Sequence, residues 1–189
     1  MRLFTGVDLP APLSEAVDAV KEQLRPEAAI QWIPPANFHI TTRFIGEWPA
    51  ARLPELRAAL GGIPAIAPIA IHVRELGFFP NAHAPRVFWA GVEGSAGLAA
   101  LARETDGSLE RLGLKADGRV FSPHLTLARI KAPVPLQKLR EAIAALPPPD
   151  FGCFDAASFF LYESRSSPAG SVYTKLAEFP LASCGMLGD

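Results

Sequence analysis

Apolar and polar positions change period several times along the chain, and each change marks an element. Residues 2–8 read as a first strand. Leu13, Val17, Val20 and Leu24 then recur at helical spacing, which predicts a helix over about 13–25, with Pro12 or Ser14 at its start. A strand follows over 38–46, and Leu53, Leu56 and Leu60 predict a helix over about 52–60. Strands are expected near 66–79 and 86–92, the first opening in the apolar stretch from Ile63 to Val73 that Pro64 and Pro68 interrupt. Leu98, Leu101, Leu109 and Leu112 place a longer helix over about 95–112. A strand over about 119–130, a helix over 135–146 and strands over about 151–162 and 172–179 complete the reading.

This order repeats. Strand, helix, strand, helix, strand occurs twice, and the opening strands are alike, at separations of 84 and then 85 residues. Arg2-Leu3-Phe4 matches Arg86-Val87-Phe88, and Gly6-Val7-Asp8 matches Gly91-Val92-Glu93. The implied architecture is an internal duplication: two lobes related by a pseudo-twofold axis, in one bilobal unit spanning 1–189. The proline-rich pieces Ile33-Pro34-Pro35 and Pro147-Pro148-Pro149 each stand before a strand as rigid connectors.

The third element of each repeat carries the same tripeptide. His39-Ile40-Thr41 and His124-Leu125-Thr126 lie 85 residues apart. Residues i and i+2 of a strand share a face, so each copy aims one imidazole and one hydroxyl the same way, with Ile40 and Leu125 turned into the opposite layer. Two such pairs facing each other frame a small anion with two proton carriers and two hydroxyl donors. Histidine titrates near neutrality, so one imidazole can accept a proton while the other donates one. That chemistry cleaves a phosphodiester without a metal, and an Arg beside it balances the transition-state charge.

Composition narrows the setting. A net charge of −1 argues against a protein that coats nucleic acid, while leaving recognition of a single phosphate open. Two cysteines, Cys153 and Cys184, make neither a disulfide framework nor a zinc cluster, and point to a reducing cytoplasm. The N-terminus lacks the apolar stretch of a signal peptide, and no run is apolar enough to suggest a membrane span. No Cys-x-x-Cys or His-x-x-x-His occurs, and no Asp or Glu adjoins either motif histidine, so no metal and no cofactor are expected. His72, in a strand, reads as a surface or satisfied residue, and His83 lies in a turn that could touch substrate.

The paired motifs resemble those of the two-histidine (2H) phosphoesterase superfamily. Trp32-Ile33-Pro34-Pro35-Ala36-Asn37-Phe38 ahead of His39, Phe44-Ile45-Gly46 after it, and Pro123 to Arg129 narrow the likeness. So do Leu161-Tyr162-Glu163-Ser164-Arg165, Gly170 and Tyr173. Together they are similar to the RNA 2′,3′-cyclic phosphodiesterase branch, historically called 2′-5′ RNA ligase. The resemblance implies an α+β fold in which two antiparallel sheets flank a central cleft with helices outside. It implies metal-independent hydrolysis of RNA 2′,3′-cyclic phosphate ends to 2′-phosphate ends, with weak reverse 2′-5′ ligation. The partner would be RNA with such an end, or a small cyclic nucleotide, acted on by a cytoplasmic monomer. Carried over, His39 is the general acid, His124 the general base, Thr41 and Thr126 bind phosphate oxygens, Arg129 holds the phosphate and Phe44 stacks on the terminal base.

Strand parity complicates two of these roles. Phe44 and Arg129 each lie five residues after their histidine, so a flat strand points them away from the cleft, and they reach it only where the strand bulges or ends. Arg43, at offset four, shares the histidine face of a flat strand and is the second candidate for a phosphate contact. Thr42, where this branch often has an apolar residue, leaves a hydroxyl on the inner face, which is expected to loosen packing. Two other readings keep the same cleft: a phosphodiesterase acting on ADP-ribose cyclic phosphates or 2′-5′ oligoadenylates, and a non-catalytic module that binds RNA ends.

Overall fold

The computed structural model describes residues 1–181 apart from Ala65, Ser95, Ala116, Asp117, Arg119 and Ala169. Cys184 and the expected first residues of the third helix and the second motif strand, Ser95 and Arg119, lie outside the described residues. The elements run β1 (Arg2–Asp8), α1 (Ala11–Leu24), β2 (Gln31–Trp32), β3 (His39–Glu47), α2 (Leu53–Gly61), β4 (Ile69–Phe79), β5 (Val87–Gly94), α3 (Ala96–Arg111), β6 (His124–Arg129), α4 (Gln137–Ala145), β7 (Asp150–Ala156), β8 (Ser158–Ser167) and β9 (Gly170–Pro180). The chain is α+β, and among the described residues all strand pairing is antiparallel. Among the described residues, no helix is long and apolar enough to cross a membrane.

The strand order is β7-β4-β5-β6-β3-β1-β8-β9, with β2 pairing β6 from outside that path. The two expected sheets are therefore two four-stranded halves of one sheet, and the seam between them is narrow. β3 and β6 join through a single pair, Ile40 with Leu125. Both side chains are fully buried. Each half draws strands from both sequence repeats. β4 follows the first repeat's second helix yet pairs with β5 of the second, while β8, late in the second repeat, pairs with β1 of the first. This reciprocal exchange ties the halves together through covalent crossovers.

The exchange also explains a difference from the sequence reading. The expected single strand over 151–162 is two strands. β7 pairs β4 at one edge of the sheet, and after Ala157 the chain crosses to the other half, where β8 lies between β1 and β9. Both segments are apolar and alternate, so periodicity alone does not reveal the crossing. The second motif strand is shorter than expected because regular pairing starts only at His124, after Pro123, whose missing N–H removes a ladder bond.

The helices bury one stripe each. Leu13, Val17 and Leu24 of α1 join the core, and so do Leu98, Leu101 and Leu109 of α3. Lys21 shares the α1 stripe and is 2% exposed. Its ammonium sits 2.5 Å from Asp18, donates to the Ile33 carbonyl at 3.1 Å and lies 5.3 Å from the Phe38 ring centre. A buried ammonium needs such partners. Here they fasten the connector that leads into β3.

Candidate active site

Continuing the Ile40–Leu125 register by one residue either way sets His39 opposite Thr126 and Thr41 opposite His124, all on one face. The histidines are then diagonal neighbours, which in a regular ladder lie about 7–8 Å apart. The two motifs meet about a local twofold through this pair.

A bulge settles the parity question. In β3, Thr5 pairs with Arg43 and Gly6 with Thr41, so Thr42 is the extra residue. In β6, Phe88 pairs with Ala128 and Trp89 with Thr126, so Leu127 is the extra residue. Both bulges fall three residues after the histidine, and each puts two successive side chains into the layer below: Thr42 and Arg43, and Leu127 and Ala128. The next residue returns to the open face. Phe44 is 51% exposed and Arg129 half-buried, on the side of their histidines.

Arg43, the second candidate for a phosphate contact, lines the hollow shared by Thr41, Phe44 and His124 from its buried side. It is buried, pairs with Asp106 of α3, and donates to the Lys115 carbonyl at 2.8 Å. The bulge at Thr42 turns the Arg43 side chain toward α3. The hydroxyl of Thr42 is not a packing defect either: it hydrogen bonds with the buried Thr5 hydroxyl at 2.8 Å.

Each imidazole is oriented by the same local device. His39 Nδ1 donates to the Asn37 carbonyl at 2.8 Å and His124 Nδ1 to the Ser122 carbonyl at 2.9 Å, each two residues upstream. A carbonyl can only accept, so both rings carry Nδ1–H and leave Nε2 for a ligand. Asn37 is itself held, its side-chain amide donating to the Ser171 carbonyl at 2.7 Å. Burial pushes the His39 pKa down to about 4, and Arg129 and His124 push the same way against the Asn37 carbonyl and Asp8. Burial and Arg129 also lower His124, against the Ser122 carbonyl. Arg129 thus acts on both rings, and His124 acts on His39 across the seam.

The surroundings differ. Phe4, 4.7 Å from the His39 ring, and Tyr173, 5.1 Å away and perpendicular, wall in His39. A cavity of about 520 Å³ beside them is lined by Asp8, Asn37, His39, Tyr162, Tyr173 and Lys175. His124 has Phe79 edge-on at 5.0 Å and borders an apolar hollow of about 410 Å³ with Thr41, Phe44, Phe79, Val120 and Phe121. Asp8 and the ring of Tyr162 are site residues that the sequence reading left without a role. The remaining histidines lie elsewhere: His72 pairs with Asp150 at 2.8 Å, and His83 lines a separate hollow with Arg86 and Arg140.

A single sheet with two His-x-Thr strands crossing at its seam defines a class of phosphoesterase. The chain belongs to the LigT-like phosphoesterase family, a 2H group whose pattern matches twice, over residues 7–89 and again over 92–173, as the duplication requires. It is 34% identical to the RNA 2′,3′-cyclic phosphodiesterase of Methanocaldococcus jannaschii, across 95% of this chain and all of the relative. It is 35% identical to the protein of that name from Thermus thermophilus, over 96% of this chain and 90% of the relative. Among solved structures it resembles TT0787 of Thermus thermophilus, with TM-score 0.82 and 34% identity over 98% of this chain and 100% of that one. It also resembles E. coli LigT complexed with 3′-AMP, with TM-score 0.79 and 27% identity over 95% and 97% of the two chains.

Proposed function

We propose that this chain hydrolyses 2′,3′-cyclic phosphate ends of RNA to 2′-phosphates, with His39 and His124 as its acid–base pair and no metal. The observation that carries the reading is the pair of identically oriented imidazoles, set diagonally across one strand junction with Arg129 acting on both. The full-length likeness to curated RNA 2′,3′-cyclic phosphodiesterases supplies the substrate class. Among the described residues, no three His, Cys, Asp or Glu side chains are grouped to hold a metal ion.

In this mechanism His124 Nε2 takes a proton from water as the water oxygen attacks phosphorus. The P–O3′ bond breaks, and His39 Nε2 gives its proton to O3′. Thr41 and Thr126 donate to the non-bridging oxygens, and the Arg129 guanidinium offsets the charge that builds on them. Phe44 offers an exposed face for the terminal base. Both imidazoles are mostly neutral in the free protein near pH 7, because their pKa values are lowered. Binding of the anionic phosphodiester favours uptake of the one proton the pair needs. A 5′-hydroxyl in place of water would leave a 2′-5′ linkage, which gives a weak ligation by the same groups.

Replacing either histidine with alanine is expected to lower kcat at least about 100-fold on an oligonucleotide with a cyclic phosphate end, with an unchanged melting temperature. Wild-type activity is expected to persist in excess chelator. Near-normal turnover by either variant, or loss in chelator restored by a divalent metal, would refute the reading.

A further inference from the structure

The two histidines are near copies in sequence and local geometry, yet different residues stand across the strand from them. On β1 the partner of His39 is Asp8, whereas on β5 the partner of His124 is Gly91. Directly paired residues present their side chains on the same face, so a carboxylate stands across the strand from His39 and no side chain stands at that position for His124. Gly91 is held to glycine by close backbone approach: a Cβ there would lie 2.6 Å from the Arg74 carbonyl oxygen. Glu93, the counterpart of Asp8 in the second repeat, is engaged with Arg74 instead.

Asp8 is anchored from two other strands. Tyr162 of β8 donates its hydroxyl to one carboxylate oxygen, and Lys175 of β9 pairs with the other. The Tyr162 ring stacks on Phe4 at 4.9 Å, and Phe4 in turn contacts His39. The ionisable groups around His39 are Asp8 from β1, His124 and Arg129 from β6, Tyr162 from β8 and Tyr173 and Lys175 from β9. Of these, Asp8 is the carboxylate. It favours the protonated ring, and Arg129 and His124 oppose it. Glu75 and Glu93 share a hollow with His124, but Glu93 is paired with Arg74, and what shifts His124 is burial, the Ser122 carbonyl and Arg129.

We propose that Asp8, fixed by Tyr162 and Lys175, is a positioning residue that breaks the symmetry of the histidine pair. It makes His39 the imidazole that carries the proton once the phosphodiester is bound, and therefore the acid at O3′, leaving His124 to activate water. The inference rests on the acid–base reading above. In each turnover one proton leaves water for His124 and one leaves His39 for O3′. Solvent then returns the proton from His124 to His39.

The test compares Asp8→Asn with the wild type on a cyclic-phosphate oligonucleotide and on the same substrate with sulfur in place of O3′, a leaving group that needs no proton. Protonated His39 gives kcat its basic limb, and removing a nearby anion weakens proton binding. That limb is therefore expected to move down by about one pH unit or more in D8N. The loss at pH 8 is expected to exceed the loss at pH 6, and the sulfur substrate should restore D8N and H39A but not H124A. Tyr162→Phe, which removes one anchor, should shift the limb the same way by less. Equal loss at every pH, an unmoved limb, or sulfur rescue of H124A in place of H39A would overturn the assignment of Asp8. Those results would leave the histidine pair standing, whereas full activity of H39A and H124A on the oxygen substrate would remove the pair itself.

Discussion

β3 and β6 carry the same motif, the same bulge three residues later and the same backbone lock on Nδ1, but they sit in different company. His39 lies among Phe4, Tyr173 and an anchored carboxylate, and His124 lies between an apolar hollow and one that Arg74, Glu75 and Glu93 line. The shared features are those that orient the two imidazoles alike on one face. The unshared ones are those that tell the two apart. A duplicated site begins with two equivalent bases, and acid–base catalysis needs inequivalent ones, so the chemistry depends on what the surrounding strands add.

The bulge gives the sharpest way to probe this comparison. Arg129 and Arg43 stand at offsets five and four from their histidines, and the bulges send the first to the open face and the second below. Arg129→Ala is expected to reduce kcat by about 10²–10³-fold with little change in stability. Arg43→Ala should retain most activity and lose about 1–3 kcal/mol of stability, since Asp106 and the Lys115 carbonyl lose their donor. Steady-state kinetics beside urea unfolding separates the two, and the reverse pattern would mean that the strand is flat.

A second contrast is in pH. With His39 near 4 and His124 below its ordinary value in the free protein, kcat/KM is expected to peak on the acid side of pH 6.5. It should fall by up to about tenfold per unit above that peak, as the pair loses its last proton, and fall again below about pH 4. The same lowered values have a consequence for folding. The unfolded chain binds a proton at His39 near pH 6.5 and the folded chain only near 4, so stability declines as pH falls through that window. A profile centred above pH 7 would contradict the electrostatic picture.

The smallest effect concerns the Thr5–Thr42 pair beneath β3. Thr42→Val alone leaves the buried Thr5 hydroxyl without its partner and is expected to cost about 1–2 kcal/mol. The double change to valine should recover much of that loss. Chemical denaturation of the three variants gives the coupling, and additive losses would show that the hydroxyls do not depend on each other.

Much of this was legible in the chain. The His-x-Thr repeat at a spacing of 85, with matching element order, marks the two strands that meet at the seam of the sheet. Periodicity recovered the helices because each buries one continuous stripe, as Leu98, Leu101 and Leu109 do. What escaped depends on pairing between strands distant in sequence. A bulge has no local signature in Thr42-Arg43 or Leu127-Ala128, so the pairing of Arg43 with Asp106 cannot be read from strand alternation. The crossing at Ala157 is hidden inside one alternating apolar run. Asp8 was visible only as the acidic end of a repeated triplet, and its place beside His39 follows from the β1–β3 register. Lys21 occupies an apolar stripe position that only its buried partners explain.

The most direct test is a histidine-selective ¹⁵N NMR titration of the protein, free and with a 2′-nucleotide product. Both motif rings are expected to show the Nδ1–H tautomer, neutral at pH 7 when free, and to respond together when the nucleotide binds, with one proton taken up by the pair. Two rings that titrate independently near pH 6.5, with only one or neither sensing the nucleotide, would contradict a shared phosphate between them.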